Sequence, residues 1–383
     1  MSIQSAPLGE LSDITSGFAF KSSLFNTDGQ GLPLIRIRDV VGGESKTFYS
    51  GEYKPEYVIH NGDALIGMDG EFNLARWKGG KALLNQRVCK IESSDDRLDQ
   101  EYLIRLLPNA LKEIEARTPF VTVKHLSVKE VRAIKIPLPP LPEQRRIAAI
   151  LDKADALCQK RRQAIEKLDQ LLQSVFLDMF GDPVTNPKGW EEVSIADVCS
   201  HVVDCVNRTA PIVDHETPYK MIRTTNVRNG KVSLDTVRRV DKPTFEKWNR
   251  RLVPQKGDVI LTREAPAGEA GILESDDQVF LGQRLMLYRC NTARLTPEYL
   301  LFTFINAGMQ RQFLSNSSGS TVKHLSVPAC RNWSILCPPI SMQEDFSRRV
   351  TKIQSINACN AIGLQKGEHF FSSLQQRAFN GTL

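Results

Sequence analysis

Four short clusters in this 383-residue chain carry side chains that can hold a polar partner by several hydrogen bonds at once. They are Gln86-Arg87, Gln283-Arg284, Lys124-His125 and Lys323-His324. Arginine presents a planar fork of donors that meets guanine or a phosphate with two bonds, and glutamine matches an adenine edge in the same way. Lysine and histidine flanked by hydroxyl residues suit phosphate contacts, which position a partner without specifying its sequence. The clusters come in pairs. The Lys-His pairs lie in TVKHLSV, which occurs at 122–128 and again at 321–327, 199 residues on, and the Gln-Arg pairs lie 197 residues apart.

Further candidates share this duplication. The loops GMDGEFN (67–73) and TREAPAG (262–268) hold equivalent places but differ in sequence. They supply Met68, Asp69, Glu71, Phe72 and Asn73 in the first copy, and Thr262, Arg263 and Glu264 in the second. Each is either a turn joining two strands or a loop that enters a groove. Residues 34–40 (LIRIRDV) and 221–227 (MIRTTNV) read as equivalent strands by their period of two. Their Arg36, Arg38, Arg223, Thr225 and Asn226 face either DNA or solvent. The plain reading of the Gln-Arg pairs is an alternating strand that exposes them.

Catalytic signatures are lacking. The chain has no GxxxxGK[ST] loop, no GxGxxG after a strand and no HExxH. Asp39, Glu52 and Lys54 make one loose nuclease-like match without a second copy, and no elbow motif supports a Ser/His or Cys/His nucleophile. Cys199, His201, Cys205 and His215 fit none of the usual zinc spacings. Neither a metal nor a cofactor is expected. A net charge of +6 is mild and compatible with a phosphate-rich partner. There is no apolar run long enough to span a membrane and no secretory leader, and the eight cysteines are scattered. A cytoplasmic protein with reduced thiols is expected.

Stepping along the chain, glycine and proline vanish from residues 143–180. Apolar positions there recur at heptad spacing through Ile147, Leu151, Ala154, Cys158, Arg161, Ile165, Leu168, Leu172, Val175 and Met179. A helix of roughly 55 Å is predicted, from Pro142 to Gly181. The same seam returns through Phe346, Val350, Ile353, Asn357, Asn360, Leu364, Gly367, Phe371, Leu374 and Ala378. Ser341 and Glu344 have capping-box spacing ahead of it. Arg161 and Asn360 are polar near the middle of each seam, so an antiparallel pair would form one polar layer there. Around Pro108 a break is expected in the helix of residues 99–117, and 118–142 reads as strand. The expected fold is α+β: a first globular domain at 1–140, a long helix at 141–181, a second globular domain at 182–339 and a second long helix at 340–383.

Taken together, IPLPPLPEQRRIAAILDKADAL, LDMFGDP, NGDALIGMDGEFN, GDVILTREAPAGEAG and the two TVKHLSV copies resemble the specificity (S, HsdS) subunit of type I restriction-modification systems. The resemblance covers most of the chain. It implies two target-recognition domains, each reading one half of a split, asymmetric double-stranded DNA site. It also implies that the two long helices pack antiparallel as a spacer and dock methyltransferase subunits, two of them, with restriction/translocase subunits joining through the complex. The subunit itself would have no catalytic residues. The second helix departs from the first at its start, where QEDFSRRV replaces EQRRIAAIL. The alternatives are a helical scaffold without DNA reading, and an enzyme in its own right.

Overall fold

The computed structural model describes residues 4–118, 124–315 and 324–379. Two compact units form: Met1–Arg162 with Ile362–Leu383, and Gln163–Ala361. Their boundaries fall inside the long helices, Leu141–Phe180 and Ile340–Phe379, so each unit holds one globular module and half of each helix.

The modules repeat one sheet order. In the first, strands Ser12–Ser16, Val88–Ser93, Ala64–Gly67 and Leu74–Arg76 lie side by side and antiparallel. In the second, Cys199–Asp204, Leu285–Cys290, Val259–Thr262 and Ala270–Ile272 do the same. Register is conserved as well: Val88 faces Gly67, and Leu285 faces Thr262. A parallel pair recurs beside each sheet, Leu32–Ile35 with Ala82–Leu84 and Lys220–Ile222 with Val279–Leu281.

Residues 34–40 and 221–227 are strands only in their first half. Each strand stops at an arginine, and short helices follow at Ile37–Gly42 and Thr224–Asn226. The cause is a local cap. The Asp39 carboxylate accepts the Arg36 N–H at 2.9 Å, and the Asn226 amide oxygen accepts the Arg223 N–H at 2.9 Å. A side-chain acceptor three residues on diverts the backbone from the ladder.

The expected break at Pro108 is absent. Helix Gln100–Arg117 runs through it, because Ile104 and Leu107 before it and Leu111 and Ile114 after it are all buried on one core. Tertiary burial outweighs the lost N–H. The second module does split here, into Pro297–Ile305 and Ala307–Ser315, where the Asn306 side chain accepts the Gly308 N–H at 2.7 Å. In place of the strand read over 118–142, Ser127 and Glu130 form a capping box that starts helix Val128–Ala133, and a strand follows at Lys135–Pro137. Residues 119–123 lie outside the described residues.

Each module joins its long helix through a buried glutamine. Gln144 accepts the Asp99 N–H (2.8 Å) and donates to the carbonyls of Arg97 (2.7 Å) and Pro139 (2.8 Å). Gln343 accepts the Thr296 N–H (3.0 Å) and donates to Arg294 (3.0 Å) and Pro338 (2.8 Å). Ser341 therefore caps nothing: it lies within the helix, whose Met342 and Gln343 N–H groups bond the Pro339 carbonyl.

Within the first unit, Ile147, Ala148 and Leu151 share a core with Leu374 and Ala378. Arg161 donates to the Gly363 carbonyl, and Arg162 pairs with Glu368 at 2.5 Å. Residue numbers fall on one segment as they rise on the other, so the segments are antiparallel. Gly363 and Gly367 make this approach possible, since an added Cβ would stand 3.0 Å from the Arg161 guanidinium carbon or the Cys158 Sγ. In the second unit Leu172, Phe176 and Phe180 meet Phe346 and Val350, and the Asn357 amide donates to Asp169 at 2.8 Å. Asn360 is half-buried. Of the expected polar layer, then, the contact made by Arg161 is to a backbone carbonyl.

Modules and helices are fastened differently in the two units. Arg105 pairs with Asp152 (2.6 Å) and Asp155 (2.8 Å) in the first. Its counterpart 197 residues on is Phe302, which packs against Phe176 and Phe346 instead.

Six cysteines are buried, Cys337 is half-buried and Cys359 is exposed. Burial pushes the Cys89 thiol up to about 12 and Cys330 up to about 11. A raised thiol pKa leaves almost no thiolate at pH 8. A thiol reagent applied at that pH should therefore label Cys359 first and Cys337 slowly, with the other six modified only on unfolding. Mass mapping that finds Cys89 or Cys330 labelled at the rate of Cys359 would contradict this packing.

Candidate nucleic-acid interface

ALLNQRVCKI reads as one strand but forms two. Strand Ala82–Leu84 ends, Arg87 takes φ +71°, and Val88–Ser93 begins. Val279–Leu281 and Leu285–Cys290 are separated in the same way by Arg284 at φ +69°. The left-handed region costs a non-glycine residue about 1–2 kcal/mol. Arginine stands there in both modules, where glycine would fit without strain. The positive φ places this residue in a turn, outside the ladder. The turn is anchored by its backbone: Met68 N–H bonds the Arg87 carbonyl (2.9 Å), and Arg263 N–H bonds that of Arg284 (2.8 Å).

Around each arginine the fold gathers a carboxylate and a histidine. Asp69 Oδ1 is 2.5 Å from His125 Nδ1, Asp69 Oδ2 is 3.5 Å from Arg87 Nε, and Arg87 Nη1 is 3.2 Å from the His125 ring. Glu264 Oε1 is 2.6 Å from His324 Nδ1, and Glu264 Oε2 is 3.0 Å from Arg284 Nε. The loops are brought in by backbone bonds from Leu126 N–H to the Met68 carbonyl (2.7 Å) and from Leu325 N–H to the Arg263 carbonyl (3.0 Å). Thus three positions, far apart in sequence, converge on one carboxylate in both modules, and in the first the arginine also reaches the histidine ring. Both arginines are 51% exposed, so the pairs contribute little stability. Their effect is orientation: one edge of the guanidinium is held, while half of the side chain stays open to solvent.

The other candidates divide. Gln86 is exposed, and Gln283 is half-buried with its Oε1 3.4 Å from the Thr209 hydroxyl. Arg36, Arg38, Glu71, Asn73 and Thr225 are exposed. Met68 (7% exposed), Phe72 (3%), Asn226 (2%) and Thr262 (0%) are buried, so their side chains are turned into the module and away from any docked surface. Thr262 is fully used, donating to the Pro266 carbonyl and accepting the Glu269 N–H. Arg263 donates to the Leu325 carbonyl at 3.0 Å, and Arg223 starts its short helix. Lys124 reaches the Glu115 carbonyl at 2.7 Å and ties its loop to the end of a helix. Lys323 lies outside the described residues.

Beside each turn lies an open cup that the sequence reading did not assemble. The first, about 280 Å³, is lined by Phe18, Phe20, Glu52, Tyr53, Lys54 and Tyr57. It adjoins the turn through the Gln86 N–H, which bonds the Phe18 carbonyl at 2.8 Å. A hydrogen bond to Glu56 lifts the Tyr57 hydroxyl above the usual phenol range. The second, about 240 Å³, includes Arg208, Arg238, Gln283 and Arg284. Continuing the duplication back to Gly17 and Cys205, whose N–H groups bond Val88 and Leu285, would have pointed to Phe18, Phe20 and Arg208. Of the loose nuclease match, Asp39 is used as a cap, while Glu52 and Lys54 line the first cup. Among the described residues no three His, Cys, Asp or Glu side chains are grouped to hold a metal ion, and no helix is long and apolar enough to cross a membrane.

The family profile described as "Type I restriction modification DNA specificity domain" matches residues 3–167 and 187–366. The chain is 30% identical to the EcoBI specificity subunit of Escherichia coli, over 98% of this chain and 85% of that one. It is 24% identical to the MjaVIII specificity subunit of Methanocaldococcus jannaschii, over 79% and 74%. Among solved structures, the S subunit of M. genitalium superposes with a TM-score of 0.58 at 12% identity, covering 98% of this chain and 96% of that one. A chain from a type I system, described for its complex assembly and conformational transition, gives 0.57 at 18% identity, covering 100% and 98%. These two likenesses concern the fold.

Proposed function

The chain belongs to the type I restriction modification DNA specificity family, and on that premise we propose that it reads a bipartite, asymmetric DNA duplex with one module per half-site. The carrying observation is the strained arginine with its carboxylate and histidine, built twice at equivalent positions. Like anchors beside unlike loops suit two related modules that share a way of docking and differ in the bases they read. Residues 1–140 and 182–339 are the reading domains in this scheme, and 141–181 and 340–383 the spacer.

The long helices dock methyltransferase subunits, two of them, and restriction/translocase subunits join through that complex. Leu157, Leu171, Ile356, Ile362 and Phe370 support this: they are large apolar side chains on the helices, 45–59% exposed. The chain itself contributes recognition and assembly, and its partners supply the chemistry. A helical scaffold without DNA reading leaves the duplicated strained arginines without a purpose.

The test combines the chain with its cognate methyltransferase subunit on a randomised DNA library. A split, asymmetric methylated motif is expected. Replacing residues 190–336 with those of another specificity subunit should then change one half of the motif and leave the other intact. Changes in both halves would refute independent modules, and methylation or cleavage by the chain alone would refute the non-catalytic role.

A further inference from the structure

We propose that the second module reads a guanine of its half-site through the arginine cup beside the Gln283-Arg284 turn; this rests on the DNA-reading role argued above. The cup is formed by Arg208, Arg223, Arg238, Arg284, Gln283 and Thr209 with smaller neighbours. Arg284 has Glu264 at 3.0 Å. Among the described residues, the other three arginines have no carboxylate within 4.0 Å. The Arg223 Nε is shut off from solvent without a partner, while its Nη2 reaches the Thr236 carbonyl at 3.2 Å. Clustered like charges repel, and an enclosed N–H without an acceptor is unfavourable. The repulsion is relieved when an electron-rich group enters the cup.

The arginines and Gln283 make the cup rich in hydrogen-bond donors, with the Thr209 and Thr224 hydroxyls as its side-chain acceptors. Arginine only donates. The oxygen of Gln283 lies 3.4 Å from the Thr209 hydroxyl, which leaves its amide N–H groups as donors. A lining in which donors outnumber acceptors favours an edge made only of acceptors. In the major groove guanine offers N7 and O6, whereas adenine adds a donor at N6 and cytosine offers a donor at N4. A phosphate shares the acceptor chemistry, so the experiment must separate base from backbone. The first module supplies an internal contrast. Its cup has aromatic rings with Glu52 and Lys54 and no arginine in its lining, so this guanine preference belongs to one half-site.

The experiment uses the full chain assembled with its methyltransferase subunit, and compares wild type with Arg208→Gln and Arg238→Gln. Both side chains are exposed, so the core is untouched, and thermal melting verifies folding. Wild type should select a G·C pair in the half of the motif that follows residues 190–336. At least one variant should lose preference for that pair by about 10- to 100-fold, with the other half-site unchanged. Uniform weakening across all sequences, with a shallower salt dependence, would mean a phosphate contact and would overturn the guanine assignment. A second half-site without guanine would overturn it also, leaving the split-site reading intact. If wild type selected no split site, the DNA-reading role itself would fall.

Discussion

Replacing Phe176 with alanine should destabilise the second unit by about 3–5 kcal/mol. The side chain is fully buried, with ring centroids 5.3 Å from Phe180, 5.7 Å from Tyr299, 6.0 Å from Phe302 and 5.6 Å from Phe346. These rings come from both long helices and from the module, so one deletion opens a cavity where three elements meet. Relaxation is limited because every wall is itself a large ring held by others. Three of the four tryptophans, Trp190, Trp248 and Trp333, belong to this unit and Trp77 to the other, so intrinsic fluorescence during denaturant unfolding, read against a Trp77→Phe background, reports on it. A loss below about 1 kcal/mol would mean that the aromatic cluster does not fasten the module to the helices. The first unit should respond differently: in place of this aromatic cluster it sets Arg105 with Asp152 and Asp155, partly exposed and open to screening by salt, beside the core around Ile147 and Leu151.

Changing Arg87 and Arg284 to glycine together should weaken specific DNA binding by about two to four orders of magnitude. An arginine hydrogen bond to a charged phosphate contributes about 1.5–3 kcal/mol, and residues with no shared partner add. The same change should leave stability equal or raise it slightly, because glycine accepts φ near +70° without strain. That opposition separates a working residue from a structural one. If the two arginines served the fold, the glycine variant would unfold more easily and bind DNA as before once folded. Binding of a fixed site in the assembled complex, followed over a salt series, gives the first quantity, and thermal melting gives the second.

Much of the architecture was legible in local patterns. The heptad seams reappear as buried or half-buried positions from Ile147 to Met179, because a helix face is set by a spacing that needs no distant partner. The duplication was legible for a similar reason: TVKHLSV and the Gln-Arg pairs mark a joint and a turn that each module must form. Local patterns also misled where two of them competed. Period two in LIRIRDV gave way to the Asp39 cap, and Pro108 gave way to burial on both sides of it.

Asp69, Arg87 and His125 entered as separate loop and strand candidates, with nothing in their spacing to connect them. Their meeting depends on the pairing of Val88–Ser93 with Ala64–Gly67, and on the bridge from Asp69 to His125. The burial of Met68, Phe72, Asn226 and Thr262 depends likewise on which way each loop folds over its sheet. The chain's order of residues carried the repeat, the helices and their seams, since these follow from short periodic runs. The three-residue clusters, the buried glutamine joints and the two unlike cups belong to the folded state alone, since they join side chains separated by tens of residues through sheet register and backbone bonds.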